Sequence, residues 1–187
     1  GANSGVNIVA GAGGITADNT TFNLIAGGNG FDITSGGVVS ITGAGANVTG
    51  AGASTITASG DITVGDDITG NGSIIIAANV NPGGVGDVDT TAATLLIVAG
   101  SAGDVDINGQ NVDVGAIDAT ASPGAVTVSA VTDVNVSGAV VGSATATIET
   151  TNGNIIQDGG SVTATTVNLR AGTSIGNGTT ALAVDAD

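Results

Sequence analysis

Sixteen carboxylates, the single guanidinium of Arg170 and a large stock of Ser and Thr hydroxyls are the only side chains here with acid–base or nucleophilic chemistry to offer. Fifteen of the carboxylates are Asp and one is Glu149, and the chain has no His, Cys, Met, Trp, Tyr or Lys. A general base poised near neutral pH is usually a His, a tuned Glu or a tuned Lys, and a Ser or Cys nucleophile needs such a base beside it. Paired carboxylates alone could serve glycoside cleavage, but only where their surroundings push two pKa values apart. Sugar binding also asks for aromatic platforms, and acidic glycans ask for cations. Phe22, Phe31 and Arg170 are all the chain offers. Composition therefore points away from an enzyme.

The carboxylates have a second use, as oxygen ligands for calcium. The text GGNGFDITS at 27–35 resembles the calcium-binding nonapeptide of RTX-type β-rolls through Gly27, Gly28, Gly30 and Asp32. It places Thr34 where that repeat has a large apolar residue, and no tandem copy follows, so a turn leading into a strand is the competing reading. Asp66/Asp67, Asp87/Asp89 and Asp104/Asp106 complete the calcium candidates. Alternate strand positions share a face, so the last two pairs would each put two carboxylates on one outer surface. The plain alternative is a solvated acidic face. No cofactor other than calcium is suggested.

A net charge of −15 sets the wrong sign for binding nucleic acid or anionic lipid, and it keeps an apolar, β-rich chain soluble. No stretch of about 18 apolar residues offers a membrane span. Without cysteine there is no disulfide framework. The opening GANSGVNIVAGAGG lacks an initiator Met and a basic leader, which reads as a processed product or a fragment.

These side chains must be positioned by something, and the chain offers one kind of element throughout. VNIVAG (6–11), FNLIAG (22–27), FDITSG (31–36), VVSITG (38–43) and DITVG (61–65) begin a series that runs to ALAVDAD at the end. Each alternates apolar and polar residues and closes on Gly, Asn, Asp or Ser, the signature of a strand followed by a turn. No helical window occurs. From Val105 to Leu182, twelve lead apolar positions, Val141 among them, follow one another at a mean interval of about seven. Three such strands per turn predict coils of about 21 residues. A longer repeat is superposed: FNLIAG, TLLIVAG and TVNLRAG end at Gly27, Gly100 and Gly172, intervals of 73 and 72. That repeat favours coils of about 18 or about 24 residues.

With 41% hydrophobic residues but 34 Gly and two aromatics, the core must be narrow and layered. A parallel β-helix meets that condition, because inward Val, Ile, Leu and Ala of one coil stack on those of the next at about 4.8 Å. The fold class expected is all-β: one continuous solenoid over 1–187, right-handed, with about 18–24 residues per coil. An immunoglobulin-like sandwich, the main rival, would show longer strands and aromatic anchors.

The stretches GNIIQDGGSVTATTVNLRAGTSIGNG (153–178), AVTVSAVTDVNVSGAVVG (125–142) and GDITVGDDITGNGSIII (60–76) resemble the filamentous haemagglutinin-like giant surface adhesins of bacteria. The resemblance implies a right-handed parallel β-helix shaft, export from the cell, and a role in adhesion, biofilm or a surface coat. The function expected is a non-catalytic extracellular filament, shaft or coat, associating with itself end to end or laterally. The alternative is an adhesin whose loops at Pro82 and Pro123 contact cell-surface glycans or proteins. Asn-x-Ser/Thr triplets at Asn19, Asn47, Asn71, Asn135 and Asn177 fit turn formers and stacked ladders better than glycosylation sites. Phe22 and Phe31 are expected in the core or at an end cap. The scarcity of Lys, Arg and aromatics also leaves little for trypsin-like or chymotrypsin-like proteases to cut, which suits a durable extracellular material.

Overall fold

The structure, a computed structural model, describes residues 6–17, 30–42, 52–70, 72–78, 86–97, 103–121, 124–176 and 181–186, and the backbone of 23–26 and 47–50. All regular elements among them are β-strands.

They form three parallel sheets of eight strands each. The first contains β1 (Val6–Ala10), β4 (Phe31–Ser35), β7 (Ser54–Ala58), β10 (Ile74–Ala78), β13 (Val105–Gly109), β16 (Val126–Ala130), β19 (Thr145–Thr150) and β22 (Thr166–Arg170). The second contains β2 (Ile15–Ala17), β5 (Val39–Ile41), β8 (Ile62–Val64), β11 (Val88–Asp89), β14 (Val112–Val114), β17 (Val134–Val136), β20 (Asn154–Gln157) and β23 (Ser174–Ile175). The third contains β3 (Asn23–Ala26), β6 (Asn47–Gly50), β9 (Ile68–Gly70), β12 (Thr94–Ile97), β15 (Ala116–Ala119), β18 (Ala139–Gly142), β21 (Ser161–Ala164) and β24 (Ala183–Ala186). Each strand pairs with the strand three places on, so the chain visits the sheets in rotation and winds as a parallel β-solenoid.

Strict alternation puts one side-chain set inside. In the first sheet Ile33, Ile56, Ile76, Ile107, Val128 and Ile148 stack in register and are buried. Val39, Ile62, Val88, Val112, Val134 and Ile155 form the equivalent column in the second sheet. Ile68, Leu95, Ile117, Val140 and Val162 form it in the third. Each buried aliphatic side chain contributes about 2 kcal/mol through the water it no longer meets. A column of like residues also repeats one packing solution at every rung, which is why a core without large aromatics suffices. Phe31 is buried in this core, and Phe22 lies outside the described residues.

Polar residues enter the interior where the chain turns. Ser35 donates to the Val38 carbonyl at 3.2 Å and accepts from Gly37 N at 3.1 Å. Thr150 donates to the Gly153 carbonyl at 2.9 Å and accepts from Gly172 N, one coil on, at 3.3 Å. Thr90 bonds the Asp113 carbonyl and accepts from Gly115 N at 3.2 Å. Ser54 is different: it sits mid-column between Phe31 and Ile74, and its Oγ is buried without a hydrogen-bond partner. At Gly30, φ is +71° and a Cβ would run into the Ala53 backbone, so glycine is required where the chain enters β4.

Three details depart from the sequence reading. The register steps from Val105 to Val126, on to Ala146 and on to Val167 keep the expected coil length, but those from Ile74 to Val105 and from Val6 to Phe31 exceed it. Extra residues at a corner leave strand register intact, because register depends only on the paired strands. Val141, taken as inward, faces out; Val140 fills the core because β18 pairs through Ile117↔Val140. The segments of the longer repeat also differ in place: β3 and β12 share the third sheet, whereas β22 belongs to the first.

Candidate functional site

With the apolar set inside, the carboxylates are left for the outer faces and the corners between sheets. At the corner leading into the second sheet they form one continuous feature. Asp61, Asp87, Asn111, Asp133, Asn154 and Ser174 occupy equivalent places on six successive coils, each beside the first inward residue of its strand. Asp87 N donates to Asp61 Oδ1 at 3.0 Å. Asn111 donates to Asp87 Oδ1 twice, from its backbone N at 3.0 Å and from Nδ2 at 2.9 Å. Asp133 N donates to Asn111 Oδ1 at 3.3 Å. Asn154 again donates twice, to Asp133 Oδ1, at 2.7 Å from N and 3.0 Å from Nδ2. Ser174 Oγ closes the series on Asn154 Oδ1 at 2.7 Å.

From Asp87 to Asn154 acid and amide alternate, whereas Asp61 and Asp87 are successive acids joined through the Asp87 backbone N. A carboxylate only accepts, whereas an amide accepts from one coil and donates to the other. The N–H groups that turn away from the ladder of strands at this corner thereby find charged or amide oxygens. Gly153 is needed beside it, since a Cβ there would collide with Asp133 Oδ1 and the Thr132 carbonyl. A shorter version marks the corner into the first sheet, where Asp104 N donates to Ser73 Oγ at 3.2 Å and Ala125 N donates to Asp104 Oδ1 at 2.9 Å.

The calcium candidates are distributed over these places. Asp32 is exposed on β4 and accepts from Thr34 Oγ1 at 3.5 Å. Gly30 makes the turn before it, so residues 30–35 are a turn and a strand, and residues 27–29 lie outside the described set. Asp67 Oδ1 receives Thr94 N of the next coil at 2.8 Å. Asp66 lies beside it, half-buried, in the turn between β8 and β9. Asp87 belongs to the ladder. Asp89 Oδ1 caps its own turn, accepting Thr91 N at 2.9 Å and Thr91 Oγ1 at 2.7 Å. Asp104, at the corner, and Asp106, on β13, are both exposed on either side of Val105, as Asp87 and Asp89 stand on either side of Val88. Partial burial of the Asp106 carboxyl raises its pKa above the ordinary aspartate value, with the neighbouring Asp104 charge adding to the shift. Among the described residues no three acidic side chains gather closely enough to hold a metal ion.

Surface depressions lined by described residues include two. One, of about 380 Å³, is lined by Glu149, Thr150, Thr151, Arg170, Ala171 and Gly172. Glu149 and Arg170 are register partners there, and Ser129 Oγ donates to Glu149 Oε1 at 3.3 Å. The other, of about 450 Å³, is lined by Val6, Asn7, Gly30, Phe31, Asp32, Ala53 and Thr55. Neither contains a base paired with a nucleophile. Asn135, one of the Asn-x-Ser/Thr positions, donates its Nδ2 to Asp113 Oδ1 within the second sheet. Asn47 lies on β6, and Asn19, Asn71, Asn177, Pro82 and Pro123 lie outside the described residues.

No family model, curated protein or solved structure matches this chain. What the chain does must therefore be argued from its own geometry.

The ladder is the feature that composition and spacing missed. Its signal was present as an Asp or Asn directly before Val or Ile, at Asp61, Asp87, Asn111, Asp133 and Asn154. The same dipeptide at Asp104–Val105 starts a strand of a different sheet, so the text alone does not separate the two corners.

Proposed function

We propose that this chain is a non-catalytic structural segment of an extracellular shaft, filament or coat, of the kind implied by its resemblance to filamentous haemagglutinin-like surface adhesins. The observation that carries the reading is the ladder from Asp61 to Ser174. Polar groups that an enzyme would converge on a substrate are spent here in tying coil to coil along the axis. The aliphatic columns run parallel to it, so both the interior and one corner resist bending and separation of coils. Eight rungs at about 4.8 Å make a rod about 35–40 Å long. The acidic exterior keeps such a rod soluble outside the cell.

Electron microscopy of the purified chain, with and without a calcium chelator, tests the proposal. Uniform slender rods, single or joined, that survive chelation are expected. Compact particles would overturn the shaft reading, and loss of rods on chelation would replace it with a calcium-dependent β-roll. Specific retention on a glycan array would move the function to adhesion.

A further inference from the structure

Asn–Gly pairs occur at Asn29, Asn71, Asn108, Asn152 and Asn177, and only Asn108–Gly109 and Asn152–Gly153 lie wholly within the described residues. Those two sit in opposite settings. Gly109 ends β13 and is paired in register with Ala130, so its backbone is held in the strand pairing of the first sheet. Asn152 is exposed in the turn between β19 and β20. In that turn Thr151 N donates to the Ala130 carbonyl at 3.0 Å, Asn152 N to the Val131 carbonyl at 2.9 Å and Asn154 N to Asp133 Oδ1 at 2.7 Å. Gly153 N, between them, meets no acceptor among the described residues, and the Asn152 side-chain amide meets no partner there either.

We propose that Asn152–Gly153 is a site of self-modification, at which Asn152 is converted to aspartate and isoaspartate without an enzyme. Asn is a thermolabile residue, and glycine, lacking a Cβ, leaves its nitrogen open to close approach. Gly153 N loses its proton to hydroxide and attacks Asn152 Cγ. The N–Cγ bond forms, the Cγ–Nδ2 bond breaks, and ammonia leaves with a proton taken from water. Water then opens the cyclic succinimide at either carbonyl. Opening at Cγ gives aspartate, and opening at the backbone carbonyl gives isoaspartate, in which the chain runs through the former side chain. An N–H that already donates between strands gives up that bond before it can react, which shields Asn108.

The fold both keeps this pair and feels its conversion. A Cβ on residue 153 would collide with Asp133 Oδ1 and the Thr132 carbonyl, so glycine is required there and the labile pair persists. Isoaspartate adds one methylene to the backbone two residues before Asn154. That turn sets Asn154 N and Nδ2 on Asp133 Oδ1 and holds the Gly153 carbonyl where it accepts from Thr173 N of the next coil at 2.8 Å. Conversion therefore loosens a rung of the corner ladder as the protein ages. The chemistry goes beyond the shaft reading and does not depend on it.

Folded protein kept in warm, mildly alkaline buffer made with heavy-oxygen water, then digested with elastase and mapped by mass spectrometry, tests the proposal. Conversion of Asn152, marked by the incorporated oxygen, should run at least tenfold faster than that of Asn108, and an isoaspartyl methyltransferase should label the product. In denaturant the two sites should convert at similar rates, because only the fold tells them apart. The thermal midpoint should fall as Asn152 converts, and Asn152→Gln, whose ring closure is slower, should slow that fall. A smaller advantage of Asn152 over Asn108 in the folded protein would overturn the proposal. A midpoint falling as fast in Asn152→Gln would overturn its effect on the ladder.

Discussion

Removing one carboxylate from the corner ladder should separate its hydrogen bonding from its charge. Asp133 Oδ1 accepts both the backbone N and the Nδ2 of Asn154, at 2.7 and 3.0 Å, and the side chain is half-buried. Asp133→Ala deletes both acceptor contacts and leaves the Asn154 N–H to whatever water can reach it. At about 1 kcal/mol net for each such bond the loss is about 2 kcal/mol. For a chain of this size that lowers the thermal midpoint by about 4–8 °C. Asp133→Asn keeps an oxygen in place and removes only the charge, so it should lose the charge-assisted share alone, about half of the alanine cost or about 1 kcal/mol. The bond from Asp133 N to Asn111 Oδ1 is made by the backbone and is common to all three proteins, which makes the comparison a fair one. Thermal and denaturant unfolding followed by circular dichroism at constant pH and salt would measure it. If the alanine variant matched the parent, or the asparagine variant lost as much as the alanine one, the ladder would not be a stabilising device. A gain in both would mean that relief of the −15 charge outweighs the bonds lost.

Other outcomes follow from single residues. Ser54→Ala should raise stability by about 1 kcal/mol in the same unfolding assay, because it removes a buried hydroxyl that has no partner. Val38, 45% exposed, holds the ladder position one coil before Asp61, so Val38→Asn should add a rung by accepting Asp61 N and raise the midpoint by a few degrees, about 0.5–1 kcal/mol. Asp106, whose folded pKa is raised, binds more protons folded than unfolded between the unfolded value near 3.8 and its folded value. Its contribution to stability therefore falls as pH rises through that window. Asp106→Asn should flatten this part of the pH–stability curve and leave the protein more stable at neutral pH, and a parallel curve for the two proteins would sink the assignment.

The fold class was legible because alternation with period two, a short regular spacing of strands and small apolar residues leave few ways to build a core. Those features pointed to short strands in series, seen throughout the described residues, and to alternate Ile and Val positions turning inward with Phe31 in the core. They did not settle which residue of the Val140–Val141 doublet is buried, since alternation is satisfied by either and only pairing with Ile117 chooses. Nor did they reveal the ladder. The steps between its members vary, from 26 positions between Asp61 and Asp87 to 20 between Asn154 and Ser174, because corners absorb extra residues without disturbing strand register. A hydrogen bond between Asp61 and Asp87 exists only once two coils are stacked, because the spacing that matters there is the rung height and not the distance along the chain.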